Sequence, residues 1–266
     1  MTNDIRSSEA IELALMIKEE VARKGIKLAV FGGAASACMR CRCDSPCSEL
    51  SREVGDLDVF SLSHDELTIE RTMKGLGFVR ANAVPLTNGF HLEFLPRRNG
   101  KRPKANLPVH IYSGLDSAFA HSLDISDCFP ETAECICLRP VGLLLTKLGI
   151  PDFKKNDALD VLFIVSRCTQ CDGVPEFKKI AEEVAKRCTK SWCSWSLFGD
   201  VKKNIAQCVE VLDARTGDLL TSNCEAAARS ALVILASAIE RAQPTDWMWR
   251  LRDHIGPRLA CMGTVE

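Results

Sequence analysis

Two aspartates, Asp56 and Asp58, stand one residue apart in the apolar stretch "REVGDLDVF". On a strand, residues i and i+2 share a face, so these two carboxylates would lie side by side. Paired carboxylates can hold Mg²⁺ or Mn²⁺, hard cations that prefer oxygen ligands. Upstream, "IKLAVFGG" reads as a short strand that ends in Gly32 and Gly33 and enters a helix. Two glycines at such a turn let the backbone approach a phosphate, and a helix N-terminus adds unsatisfied N–H groups and a positive dipole. In that order, the two features suit a nucleoside triphosphate and metal-assisted phosphoryl transfer.

The elements that must position these residues follow from periodicity. Residues 8–24 carry Ile11, Leu15 and Val21 among charges, which predicts an amphipathic helix closed by Gly25. "DLDVFSL" predicts a strand, and "SHDELTIERTMKGLG" a helix with Ser63 as its N-cap. "FHLEFL" and "VHIYSG" are strand-like and flank the basic connection "PRRNGKRPKAN". After residue 139 strand signals stop. Helical patterns follow at 140–149, 156–167, 175–189, 197–213 and 222–242, with a short one at 246–254. The expected architecture is an α/β (α+β) unit over 1–139, a small mixed β-sheet flanked by helices, and then a C-terminal helical bundle over 140–266.

Composition narrows the function classes. The chain has 266 residues, 46% apolar and 26% charged, with a net charge of −1. That balance gives no global pull toward nucleic acid or anionic membrane. No apolar run approaches the ~20 residues of a membrane span, and the N-terminus lacks a secretory pattern. A cytoplasmic location is expected, with the fourteen cysteines mostly as thiols. Four of them, Cys38, Cys41, Cys43 and Cys47, crowd one loop, and Cys168 and Cys171 form a second C-x-x-C pair. Zinc binding by an interaction module is the rival reading of these, beside a plain cysteine-rich loop. Trp192, Trp195, Trp247 and Trp249 are expected to be helix-packing residues. The basic run Arg97, Arg98, Lys101, Arg102 and Lys104 has no aromatic residue for base stacking, so it gives only weak support for an RNA partner.

"FGGAAS", then Arg52, then "GDLDVF" resembles the signature of the nucleotidyltransferase-fold superfamily, closest to its AbiEii-like and minimal nucleotidyltransferase groups. "RPVGLLLTKLGIPDFKKNDALDVLFIV" is similar to the helical region of those groups, through Leu144, Lys147, Leu148, Lys154, Asp157 and Asp160. The resemblance covers about residues 25–167. It implies transfer of a nucleotidyl group from a nucleoside triphosphate to an acceptor hydroxyl on a small molecule, a protein or RNA. It also implies that Gly32, Gly33 and Ser36 contact triphosphate oxygens, and that Asp56 and Asp58 ligate the catalytic metal. Lys147 and Lys154 would then lie near the nucleotide. Their other reading is a set of helix-surface ion pairs with Asp157 and Asp160.

The resemblance breaks at two places: the insertion "CMRCRCDSPCSEL" lengthens the segment between the glycines and Arg52, and a third carboxylate is missing. Active members carry a third carboxylate on a later strand, and the matching stretch "LPVHIYSG" has His110 there. Imidazole is a poor Mg²⁺ ligand but can act as a general base. His110 therefore has two readings, a base or ligand and a hydrogen-bonded strand histidine. Glu93 and Asp116 are the acids that could substitute. The missing carboxylate supports the alternative function, a catalytically degenerate member that binds nucleotide or a protein partner.

Overall fold

The computed structural model describes residues 2–40, 54–86, 89–97, 107–113, 125–132, 135–189, 194–214 and 222–242. Cys41, Cys43, Cys47, Arg52, the basic loop from Arg98 onward, Asp116, Trp192, Trp247, Trp249 and the short helix expected at 246–254 lie outside them. So do the side chains of Cys38 and Trp195.

The chain opens with α1 (Thr2–Ala22). Its buried stripe is Leu13, Ile17 and Val21, at helical spacing, while Leu15 is exposed and Ile11 only packs at the margin. The stripe is thus rotated from the one expected on Ile11 and Leu15. Four fully buried residues make β1 (Leu28–Phe31), and the chain passes directly into α2 (Gly32–Arg40). β2 (Leu57–Ser61) and α3 (Glu66–Gly75) follow. The cap of α3 is Asp65, not Ser63. Asp65 Oδ1 accepts from Thr68 N–H at 3.0 Å, and Ser63 Oγ instead accepts from Asp65 N–H at 3.1 Å, one turn upstream.

β3 (Phe78–Leu86), β4 (Gly89–Pro96) and β5 (Val109–Ser113) complete a five-stranded mixed sheet in the order β1-β2-β5-β4-β3. Only the β2–β5 pair is parallel. β3 is an edge strand with residues 81–85 exposed, which accommodates Arg80, Asn82 and Pro85. On the other edge, Val30 N–H bonds Ile136 O (2.7 Å) and Leu138 N–H bonds Val30 O (3.0 Å). Residues 136–138 thereby lie alongside β1 and deliver the chain to the helical half.

That half comprises α4 (Pro140–Leu148), α5 (Lys155–Cys171), α6 (Gly173–Thr189), α7 (Ser194–Asp213) and α8 (Ser222–Arg241). α5 is its centre, packing on α4, α6, α7 and α8 and also on α2. One continuous buried apolar cluster runs through the sheet, α1 and the helices of the second half. The fold is mixed α/β, as expected. Among the described residues, no helix is long and apolar enough to cross a membrane.

Candidate functional site

The two faces of the sheet differ. Leu57, Val59, Val109, Ile111, Phe90, Leu92 and Phe94 form a fully buried face. Strand alternation places Asp58, His110, Tyr112, His91 and Glu93 on the opposite face, where each is half-buried. Register then fixes a row across it: Phe31 opposite Asp58, Asp58 opposite His110, and His110 opposite Glu93. A second row sets Phe60 opposite Tyr112 and Tyr112 opposite His91. Asp56 sits at the entry to β2, one residue before the strand begins, with Leu57 N–H anchored on Pro108 O at 2.9 Å.

Gly32 closes the site from the side of β1. Its φ is +66°, a conformation that L side chains rarely adopt. A Cβ there would collide with Asp58 Oδ2. Only glycine lets the first residue of α2 lie directly against that carboxylate. Gly33 is buried next to it. Ser36, one helical turn on from Gly32, is 4% exposed, and its Oγ has no hydrogen-bond partner among the described residues. An unpartnered buried hydroxyl costs about 1–3 kcal/mol, which a ligand oxygen would recover. The room that a side chain at Gly32 would need is taken by the Asp58 carboxylate, and the open Ser36 hydroxyl suits a phosphate oxygen.

The imidazoles and the phenol are ordered by one another. His91 Nε2 and His110 Nδ1 are 3.1 Å apart. His91 stacks on Tyr112 with centroids 4.3 Å apart and planes within 3°. Tyr112 also meets Phe31 edge-on at 5.4 Å. Burial lowers the pKa of His91, the neighbouring His110 lowers it further, and Glu93 opposes both. Burial raises the Tyr112 hydroxyl pKa well above its ordinary value, and the charges of Asp58, Asp56 and Glu93 raise it further. All three carboxylates thus act on one phenol. Among the described residues, no three His, Cys, Asp or Glu side chains converge as a ready-made ligand set.

The chain matches no protein-family model, no curated protein and no solved structure. The site is therefore read from its own geometry.

The two lysines fall elsewhere. Lys147 on α4 is buried, its side chain 9% exposed, with Nζ 2.9 Å from Asp157 Oδ1 and 2.8 Å from Asp160 Oδ2. Of its two readings, the geometry takes up the ion pair. Burial alone would lower the lysine pKa, but the two carboxylates outweigh burial and raise it. Asp157 Oδ2 also accepts the Lys154 N–H at 3.0 Å, so one carboxylate caps α5 and ties α4 to it. Lys154 is exposed at the N-terminus of α5, 3.5 Å from Asp152. Of the second C-x-x-C pair, Cys171 is exposed, while burial pushes the Cys168 thiol up to about 12 and holds it protonated.

Sequence reasoning missed His91 and the row it belongs to. Its signal was present, because His91 and Glu93 alternate in "FHLEFL" as His110 and Tyr112 do in "VHIYSG". Pairing those two runs antiparallel brings all four onto one face.

Proposed function

We propose that this protein transfers a nucleotidyl group from a nucleoside triphosphate to an acceptor hydroxyl. The observation that carries the reading is the contact of Gly32 with Asp58, which sets a helix N-terminus against a half-buried carboxylate where a side chain would not fit. Asp56 and Asp58 would hold the divalent ion. A bound Mg²⁺ or Mn²⁺ supplies charge stabilisation to the phosphoryl oxygens. The N–H groups at Gly32 and Gly33 and the Ser36 hydroxyl donate to the phosphates. The acceptor oxygen bonds to the α-phosphorus, the bond to the bridging oxygen breaks, and pyrophosphate leaves. The hydroxyl proton passes to His110, in register beside Asp58, or to Glu93, opposite His110 on the next strand. Glu93 supplies a carboxylate one strand beyond the position where His110 stands. Lys154 is assigned to phosphate by the resemblance alone. Lys147 is assigned to holding α4 on α5. The reaction is assigned to the cytoplasm, where the described cysteines, which form no disulfide with one another, would stay thiols.

The test is label transfer. Protein is incubated with each α-labelled nucleoside triphosphate, Mg²⁺ or Mn²⁺ and a cell lysate that supplies acceptors. Transfer that Asp56→Ala abolishes supports the reading. Measurable nucleotide binding with no transfer from any nucleotide overturns it and leaves the degenerate binding protein.

A further inference from the structure

Among the described residues two cationic side chains are buried, Lys147 on α4 and Arg167 on α5. Lys147 has its charge met by Asp157 and Asp160. Arg167 has no such answer. It is 5% exposed, its Nη2 has no hydrogen-bond partner, and no described carboxylate pairs with its guanidinium. A guanidinium keeps its charge where a buried lysine or carboxyl can neutralise, so its burial calls for an anion. Three other side chains carry a buried polar atom without a partner, Ser36, Arg139 and Asn204. Arg139 is otherwise held by Glu131 and Asp127 O, and Asn204 by Leu148 O and Ile150 O. Of the four, only Ser36 and Arg167 have no side-chain hydrogen bond among the described residues.

The two stand on helices that pack together. α2 lies against both α4 and α5, and Cys137 Sγ, just before α4, donates to Ala35 O in the middle of α2. Arg167 is one heptad beyond Asp160, on the stripe of α5 that meets Lys147 of α4. Ser36 and Arg167 thus belong to one junction of α2, α4 and α5. The sheet residues assigned to the triphosphate, Gly32, Gly33, Ser36, Asp56 and Asp58, include no cation, and Lys147 is committed to its two aspartates. A guanidinium fork matches the oxygens of a phosphate, and a serine hydroxyl adds a third donor.

We propose that Arg167 and Ser36 together hold a phosphate group where α5 packs on α2, the guanidinium as its charge partner and the hydroxyl as a donor. This deepens the nucleotidyl-transfer reading and rests on it where the phosphate is that of the nucleotide. It gives the helical half a part in binding, through a residue other than the two lysines.

The whole protein, free of divalent ions, is titrated with inorganic phosphate and, separately, with inorganic triphosphate, and its thermal midpoint is followed alongside. Wild type should bind and gain in midpoint. Tighter binding of triphosphate identifies the nucleotide as the source of the phosphate, and equal affinity identifies free phosphate. Either supports the site. Arg167→Met should weaken binding at least tenfold and remove the anion-dependent rise. Its midpoint without anion should hold or increase, because an apolar side chain replaces an unpaired buried charge. An arginine that serves only by packing its stem would give the opposite signs. Arg167→Lys keeps the charge without the fork, should fall between the two, and is the second variant if Arg167→Met does not fold. Ser36→Ala should lose roughly three- to tenfold. No binding by wild type, or wild-type affinity in folded Arg167→Met, overturns the proposal, and a loss confined to one of Ser36→Ala and Arg167→Met overturns the shared site. The broader reading is judged apart from this. Metal-dependent nucleotide binding that needs Asp58 and is untouched in Arg167→Met leaves that reading standing and removes this one. Phosphate binding that needs Arg167, without nucleotide binding, gives the reverse.

Discussion

Two sets of aspartates stand in different surroundings in the two halves of the chain. In the helical half, Asp157 and Asp160 close around Lys147, and the lysine and Asp160 are nearly excluded from water. On the sheet, Asp58 has Phe31 on one side, His110 on the other, and the backbone of Gly32 against its carboxylate. The first set has its counter-charge built in and ties α4 to α5. The second is bordered by a glycine, imidazoles and a phenol instead of by a lysine. Paired acids in a sequence look alike, and the partners that register and packing bring opposite decide whether they brace the fold or face a ligand.

The contrast breaks most sharply under substitution of the acids and their neighbours. Asp58→Asn should lower nucleotidyl transfer roughly 100-fold or more while the protein stays folded. Gly32→Ala should do nearly as much, because a side chain there both strains the backbone and displaces the Asp58 carboxylate. Lys147→Met should act in the opposite sense on the two readouts. It leaves Asp157 and Asp160 without their cation and should destabilise by about 3–5 kcal/mol in urea unfolding. Nucleotide affinity of the folded fraction should be unchanged. The stabilisation from Lys147 also has a pH signature. Its raised pKa means that the contribution is complete below the ordinary lysine value and fades as pH rises through the higher folded-state value. Unfolding at pH 8 and at strongly alkaline pH should therefore differ more for wild type than for Lys147→Met.

Smaller effects sharpen the picture at the sheet. Ser36→Ala removes a buried hydroxyl that has no described partner, so free-protein stability should hold or rise by up to about 1 kcal/mol. Triphosphate affinity should still fall roughly three- to tenfold, a crossing of signs that a purely structural serine would not give. Tyr112 is the only tyrosine in the chain, so tyrosinate absorbance follows it alone. It should ionise well above the ordinary phenol value, and Asp58→Asn should bring it down. Lys154→Ala, at a side chain 71% exposed, should change stability by no more than about 0.5 kcal/mol.

Much of this was legible in the sequence, for physical reasons. Strand-glycine-helix punctuation located β1, α2 and Gly32, and the helical periodicity after residue 139 gave α4 to α8 in order. β3 was missed because an exposed edge strand does not need an alternating apolar pattern, and Arg80, Asn82 and Pro85 hid it. The rotated stripe of α1 reflects the same limit, since apolar residues mark a helix while its neighbours decide which of them are buried. For His91 and Glu93 the alternation in "FHLEFL" was visible, but their neighbours depend on strand register, which joins residues about twenty positions apart. Lys147 was open between two roles because a lysine and two aspartates at helical spacings suit a phosphate contact or an ion pair equally well. Only the packing of α4 on α5 separates them.

The central claim is that the Asp58 face of the sheet is a metal-and-triphosphate site and the Asp157–Asp160 set is not. Equilibrium binding of a nucleoside triphosphate, with and without Mn²⁺, to folded wild type, Asp58→Asn and Lys147→Met tests it directly. The account predicts metal-dependent binding in wild type and in Lys147→Met, and its loss in Asp58→Asn. Binding that survives in Asp58→Asn, or that vanishes only in folded Lys147→Met, would contradict it.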